Sequence, residues 1–270
     1  MNKELKWSKL YLFLVFVALY IPIIYLIIYS FNEGGTMNEF TGFTLEYYGN
    51  VLADKRLIQI VIHTLLIALL SSTFATIIGT LGAVGIYYLR NEQTKNTLLS
   101  ANNILLVSPD VIIGSSFLLI FTMAGYQLGF MSVLLSHIAF SIPIVVLMVL
   151  PSLEELNPSM VKAAEDLGAN RWQVLGNIIL PNIIPGIFAG FFMAFTYSLD
   201  DFAVTFFVTG NGFTTLSVEI YSRARQGISL DINALSALLF IASLLLVLGY
   251  YYISKYNRRA RRVKKVVTNQ

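Results

Sequence analysis

Residues Leu10–Phe31 read LYLFLVFVALYIPIIYLIIYSF, 22 consecutive positions without an Asp, Glu, Lys, Arg or His. At a helical rise of ~1.5 Å per residue the run covers the ~30 Å hydrocarbon core of a bilayer, so it can span unaided. Lys3, Lys6 and Lys9 precede it, as in a secretory leader. The apolar run is too long for a leader, however, and no A-x-A cleavage site follows. It reads as an uncleaved first transmembrane helix.

Working outward, low-charge stretches recur at Leu57–Leu89, about Leu98–Leu153, Ile183–Val208 and Ile232–Ser254. The second is too long for one crossing. Gly125, Gln127 and Gly129 supply a turn that divides it into helices over about 101–124 and 130–152. With 56% hydrophobic and 12% charged residues the chain has no aqueous resting state. The expected fold class is an all-α integral membrane protein of six transmembrane helices in contact with membrane lipid. With the N-terminus inside, 14 of the 18 Lys and Arg fall on the inner side, which predicts cytoplasmic N- and C-termini. The basic tail (Arg258, Arg259, Arg261, Arg262, Lys264, Lys265) directly follows a span, so it reads as a topology anchor at anionic lipid rather than as a nucleic-acid patch. The chain then divides into an N-terminal helix and outer loop (1–56), a transmembrane domain (57–250) with an inner loop (153–182), and the tail (251–270).

Several chemistries have no residues to carry them. No G-x-x-x-x-G-K-[ST] phosphate loop occurs, nor G-x-S-x-G, nor H-E-x-x-H, and there is no cysteine. His63 and His137 lie in different predicted spans and read as hydrogen-bonded packing residues rather than metal ligands. The chain reads as no enzyme, and no cofactor is implied.

The inner loop is polar and punctuated. Asn157-Pro158 provides an N-cap and a first-turn proline, Gly168 closes that helix, and Asn170 caps a second one. The second carries Trp172, Val174, Leu175, Ile178 and Ile179 before Pro181 interrupts the pattern. This apolar stripe either packs on the protein's own spans or is a docking surface. Ala163-Ala164, Gly168 four residues later, then nine residues to Ile178-Ile179-Leu180-Pro181, resembles the E-A-A-x3-G-x9-I-x-L-P loop of binding-protein-dependent ABC importer permeases. The resemblance implies a type 1 permease fold and a coupling helix, residues 162–181, seated on a cytoplasmic ATPase. Lys162 stands where the family has Glu, and Glu165, one turn on, could serve instead.

Further runs, Tyr197-Ser198-Leu199-Asp200-Asp201, Phe207-Val208-Thr209-Gly210, Ile220-Tyr221-Ser222 and Asn233-Ala234-Leu235, resemble the spermidine/putrescine branch of that family. This implies a second permease subunit forming a heterodimer, two cytoplasmic ATP-binding subunits and an extracytoplasmic polyamine-binding protein. The nearer rival is an ABC permease for another solute, which the loop does not exclude; the rival class is a self-sufficient secondary transporter or channel, which intramembrane acids would suit.

Those acids are Asp110, Asp200 and Asp201. A charge at mid-bilayer costs on the order of 2.5–3.5 kcal/mol, so each is either an intersubunit bond or functional. Counted from the inner helix ends they fall at different depths, like stations on a path. Polyamines need carboxylates for their ammonium groups and aromatic faces between them. Tyr197 precedes Asp201 by one helical turn, so Asp201 with Tyr197, then Asp200 and Asp110, form the expected cation route. Gly186, Gly190, Ala194 and Ser198, and likewise Ala75, Gly79 and Ala83, make small-residue stripes for close helix approach. Outside, Thr215–Gln226 reads as a short helix, with Glu219 and Arg223 spaced as a surface pair. It is either a lid or a contact for the binding protein.

Overall fold

The computed structural model describes residues 3–227 and 229–245. Their helices are α1 (Lys3–Tyr29), α2 (Glu46–Ala53), α3 (Lys55–Tyr87), α4 (Glu92–Val107), α5 (Asp110–Met123), α6 (Phe130–Glu154), α7 (Pro158–Asp166), α8 (Arg171–Val174), α9 (Leu180–Asp200), α10 (Ala203–Val208), α11 (Leu216–Gln226) and α12 (Leu230–Leu245). Among the described residues one isolated antiparallel bridge, Asn32 to Phe43, interrupts this all-helical architecture. Trp7–Tyr29, Lys55–Tyr87, Phe130–Glu154 and Arg171–Asp200 are each long and apolar enough to cross a membrane. α4 and α5 make a fifth such stretch if taken as one bent span. α12 begins the predicted last span; residues 246–254 of that span, and the basic tail, lie outside the described residues.

Two compact units divide the chain, Met1–Ile58 with Ser222–Gln270, and Gln59–Tyr221. In the first, the turn after α1 is organised by Asn32, which is fully buried. Its amide donates to the carbonyls of Thr36 and Glu39 and its oxygen accepts the Thr41 N–H at 2.8 Å, so one side chain satisfies a whole loop. In the same unit Asp54 caps α3 and lies 3.4 Å from Arg223.

The second unit is built around α6. Val145, Val149 and Leu153 are fully buried there, and both small-residue stripes close on this helix. A Cβ at Gly79 of α3 would lie 2.7 Å from Val145 Cβ, and one at Gly190 of α9 would lie 3.2 Å from Val145 Cγ1. In lipid, where helices gain little hydrophobic energy by leaving the tails, such close backbone approach supplies the van der Waals contact that holds them together. Ala75, Ala83 and Ala194 are fully buried in the same core.

Three expectations about helix boundaries are corrected. The helix expected over 101–124 is two, α4 and α5, bent by 104°. Pro109 is the cause: it lacks an N–H and pushes Ser108 to extended backbone (φ −67°, ψ 138°). The long apolar flanks on both sides of Ser108-Pro109-Asp110 hide the break from any averaged hydropathy. The span expected over 183–208 ends at Asp200; Asp201 is extended (ψ 121°) and a separate short helix, α10, follows. Pro181, by contrast, does not interrupt the chain. From Arg171 the helix continues to Asp200 through a π turn at Leu175–Ile179, where the Leu180 N–H reaches back to the Leu175 carbonyl. The wider turn accommodates a proline that cannot donate the usual bond.

Candidate functional site: an acidic cleft at two helix breaks

The two corrected breaks meet. α5 packs on α10, and the contact is tight one turn beyond Asp110, where a Cβ on Gly114 would lie 3.0 Å from Val204 Cα and 2.8 Å from the Phe207 ring. Asp110, the first residue of α5, therefore comes to the end of α9. There the Tyr197 hydroxyl donates to Asp110 Oδ1 at 2.8 Å. A cleft of about 360 Å³ opens at this point, lined by Asp110, Met193, Thr196, Tyr197, Asp200, Asp201, Phe202 and Ala203. The expected separation of the acids by depth does not occur: all three line one cleft.

Their environments differ. Asp110 is half-buried and Asp200 is exposed. Asp201 is buried and occupied by its own chain: Oδ1 accepts the Val204 N–H at 3.2 Å, and Oδ2 accepts the Thr205 N–H at 2.8 Å and the Thr205 hydroxyl at 2.7 Å. It thus caps α10, satisfying donors that the break leaves free. Its backbone carbonyl accepts the Ser217 hydroxyl at 2.6 Å, which ties the first turn of α11 to the break. Tyr197, expected to face Asp201, turns to Asp110 and sets its ring edge-on to Phe140 at 5.2 Å.

Sequence reasoning missed the partner of Asp201. His137 of α6 is fully buried, with Nε2 2.8 Å from Thr205 Oγ1 and 3.4 Å from Asp201 Oδ2, and Nδ1 2.7 Å from Ser198 Oγ. The reading as a hydrogen-bonded histidine agrees with these contacts, but no spacing in the sequence joins position 137 to 201. An ionisable residue inside an apolar span was the available signal. Met193 and Phe202 complete the cleft wall without any sequence mark.

The inner loop forms a second candidate surface. Asn157 caps α7, accepting the Ser159 N–H at 3.0 Å, and Asn170 and Gln173 cap α8 reciprocally. Gly168, at φ 87°, makes the left-handed turn between them, a conformation costly for any residue with a Cβ. The apolar stripe divides. Val174 and Ile179 are buried in the core around α6, with Ala164, Leu175 and Leu180 packed against it. Ile178 is half-buried. Trp172, at 81% exposure, and Leu167, at 89%, point away. Lys162, Ala163, Glu165 and Pro181 are exposed alongside them. Leu167 was not singled out in the sequence, because one leucine beside a C-capping glycine looks like ordinary helix closure.

Comparison with known proteins agrees with this architecture. Residues 75–263 match the family described as binding-protein-dependent transport system inner membrane component. The chain is 39% identical over 241 residues to the spermidine/putrescine transport system permease protein PotC of Escherichia coli, covering 89% of this chain and 91% of that one. It is 36% identical over 239 residues to the putrescine transport system permease protein PotI of the same organism, covering 86% and 85%. Among solved structures it resembles a chain of a bacterial ABC transporter involved in the import of the acidic polysaccharide alginate, with a TM-score of 0.73 at 18% identity, over 93% of this chain and 95% of that one.

Proposed function

Because the chain belongs to the binding-protein-dependent transport system inner membrane components, we propose that it is one permease subunit of an ATP-driven importer for polyamines, spermidine or putrescine. It is a multi-pass membrane protein with the type 1 ABC permease fold. The observation that carries the substrate class is the convergence of Asp110, Tyr197, Asp200 and Asp201 on one cleft. A polyamine is a flexible apolar chain bearing several ammonium groups. Carboxylates beside an aromatic face fit it, since a carboxylate open to the cleft forms a charge-assisted bond and the ring face attracts the cation. The relatives' names support the same class.

In this reading the chain has six spans with both termini cytoplasmic, supported by the excess of Lys and Arg on the predicted inner side. It pairs with a second permease subunit, and the cleft becomes part of the path between them. An extracytoplasmic polyamine-binding protein delivers substrate outside. Inside, residues 162–181 dock on one of two ATP-binding subunits, where ATP is hydrolysed. Exposed Leu167 and Trp172, beside Lys162 and Glu165, support this role, since apolar side chains rimmed by charge fit a partner's groove.

Two experiments test the assignment. Purification of the tagged chain from its own cells should bring with it an ATPase bearing a phosphate loop and a polyamine-binding protein; a homo-oligomer that transports alone would sink the subunit reading. Spermidine uptake into vesicles should require ATP and should fall in Asp110→Asn, Asp200→Asn, Asp201→Asn and Tyr197→Phe. Uptake at the parental rate by correctly inserted variants would remove the cleft from the path.

A further inference from the structure

The contacts of His137 form a chain whose direction is fixed at its Asp201 end. The Thr205 hydroxyl donates to the Asp201 carboxylate, which can only accept, so Thr205 Oγ1 is left as an acceptor. His137 Nε2, 2.8 Å from that oxygen, therefore carries a proton and donates it. Nδ1 makes the ring's second contact, 2.7 Å from Ser198 Oγ. Ser198 Oγ in turn lies 3.0 Å from Ser71 Oγ, and the Ser71 hydroxyl is 3.3 Å from the Ala68 carbonyl. The contacts run from Ser71 through Ser198, His137 and Thr205 to Asp201. Four helices, α3, α9, α6 and α10, contribute to the chain. All five side chains are buried.

We infer that His137 is a positioning residue for the cleft: through Thr205 it fixes Asp201 as an immobile carboxylate in the wall, while Asp110 and Asp200 meet the cation directly. This rests on the reading of the cleft as a cation path. Burial supports the division, because the Asp201 side chain is only 3% exposed and already accepts three hydrogen bonds from its own chain. It has no free face to wrap around an ammonium group, yet its charge lies against the cavity in surroundings that screen it poorly. A chain of hydrogen bonds that is satisfied throughout also resists rearrangement, since breaking one link leaves a buried polar group unpaired.

The test has a spectroscopic arm and a transport arm. The assembled transporter, 15N-labelled at histidine and reconstituted in bilayers, is examined by solid-state NMR, and the signal missing from His137→Gln identifies His137. That signal should show a protonated Nε2. It should shift in Asp201→Asn and stay in place in Asp200→Asn. In spermidine uptake, His137→Gln, which keeps a donor toward Thr205, should hold KM within about twofold, whereas His137→Leu should raise KM about tenfold with kcat little changed. An unmoved His137 signal in Asp201→Asn, or equal KM for the Gln and Leu variants, overturns the inference. The histidine signal needs no substrate, so it is read apart from the polyamine assignment, which parental spermidine uptake measures. A His137→Leu chain that fails to assemble leaves the Asp201→Asn comparison as the deciding result.

Discussion

The Tyr197 hydroxyl donates to Asp110 Oδ1 at 2.8 Å, joining residues 87 positions apart. Each sits beside a helix break, Asp110 just after Pro109 and Tyr197 in the last turn of α9. Irregular backbone at membrane depth is tolerated only where it is buried in protein or lines a cavity, so two breaks meeting at one cleft form a single functional feature.

Removing this bond should weaken substrate capture without unfolding the chain. Tyr197 is 41% exposed, so Tyr197→Phe leaves no buried polar group stranded except the Asp110 carboxylate facing the cleft. A hydrogen bond to a charged group is worth roughly 1.5–3 kcal/mol when buried and less at a wetted surface. We expect KM for spermidine to rise about fivefold in Tyr197→Phe and at least tenfold in Asp110→Asn, by vesicle uptake at matched protein levels.

The small-residue interface predicts a contrast within α3. At Gly79 a Cβ would meet Val145 Cβ at 2.7 Å and the Ile142 carbonyl at 3.1 Å, whereas at Gly82 the nearest atom, Val146 Cγ2, is 3.9 Å away. Gly79→Val should therefore cost about 1–3 kcal/mol of stability through overpacking. Gly82→Ala should be neutral or slightly stabilising, since it removes backbone freedom at no steric cost. Thermal unfolding in detergent separates them.

How far the sequence carried follows from what kind of signal each feature leaves. The long apolar runs at Leu10–Phe31 and Leu57–Leu89 and the caps Asn157 and Asn170 were legible because hydropathy and capping are local. The breaks at Pro109 and Asp201 were not, because the long apolar flanks on both sides outweigh the two or three polar residues at each. The acids were visible as charges in apolar segments, but their convergence depends on α5 packing against α10 at Gly114, a tertiary fact. His137 was visible and read as a packing residue; only the fold sets it against Thr205 and Asp201.

The inner loop separates stability from coupling. Ile179 is 3% exposed in the core, so Ile179→Ala should destabilise the chain by about 2–5 kcal/mol. Trp172→Ala and Leu167→Ala, at 81% and 89% exposure, should leave its unfolding within about 0.5 kcal/mol of the parent. Those two should nevertheless lose the ATPase on co-purification and, with it, ATP-driven uptake. A variant that keeps both partners and transport would show that these side chains face only water or lipid.

Asp54 gives the start of α3 a pH dependence of known sign. The Leu57 backbone N–H, 3.1 Å from Oδ1, holds its carboxyl below the usual carboxylate range, and Arg223 adds to the effect. Because the folded value is depressed, the stabilisation is fully present above the unfolded value of about 3.9 and is lost as pH falls through the lower folded one. As the cap of α3, Asp54 contributes about 0.5–2 kcal/mol, so Asp54→Ala should weaken the protection of the first α3 amides by that amount at neutral pH. Hydrogen exchange in detergent, followed from neutral pH toward pH 3, should show the parent approaching the variant only at the acid end. A difference that stays constant down to pH 3 would mean the carboxylate charge has no part in the cap.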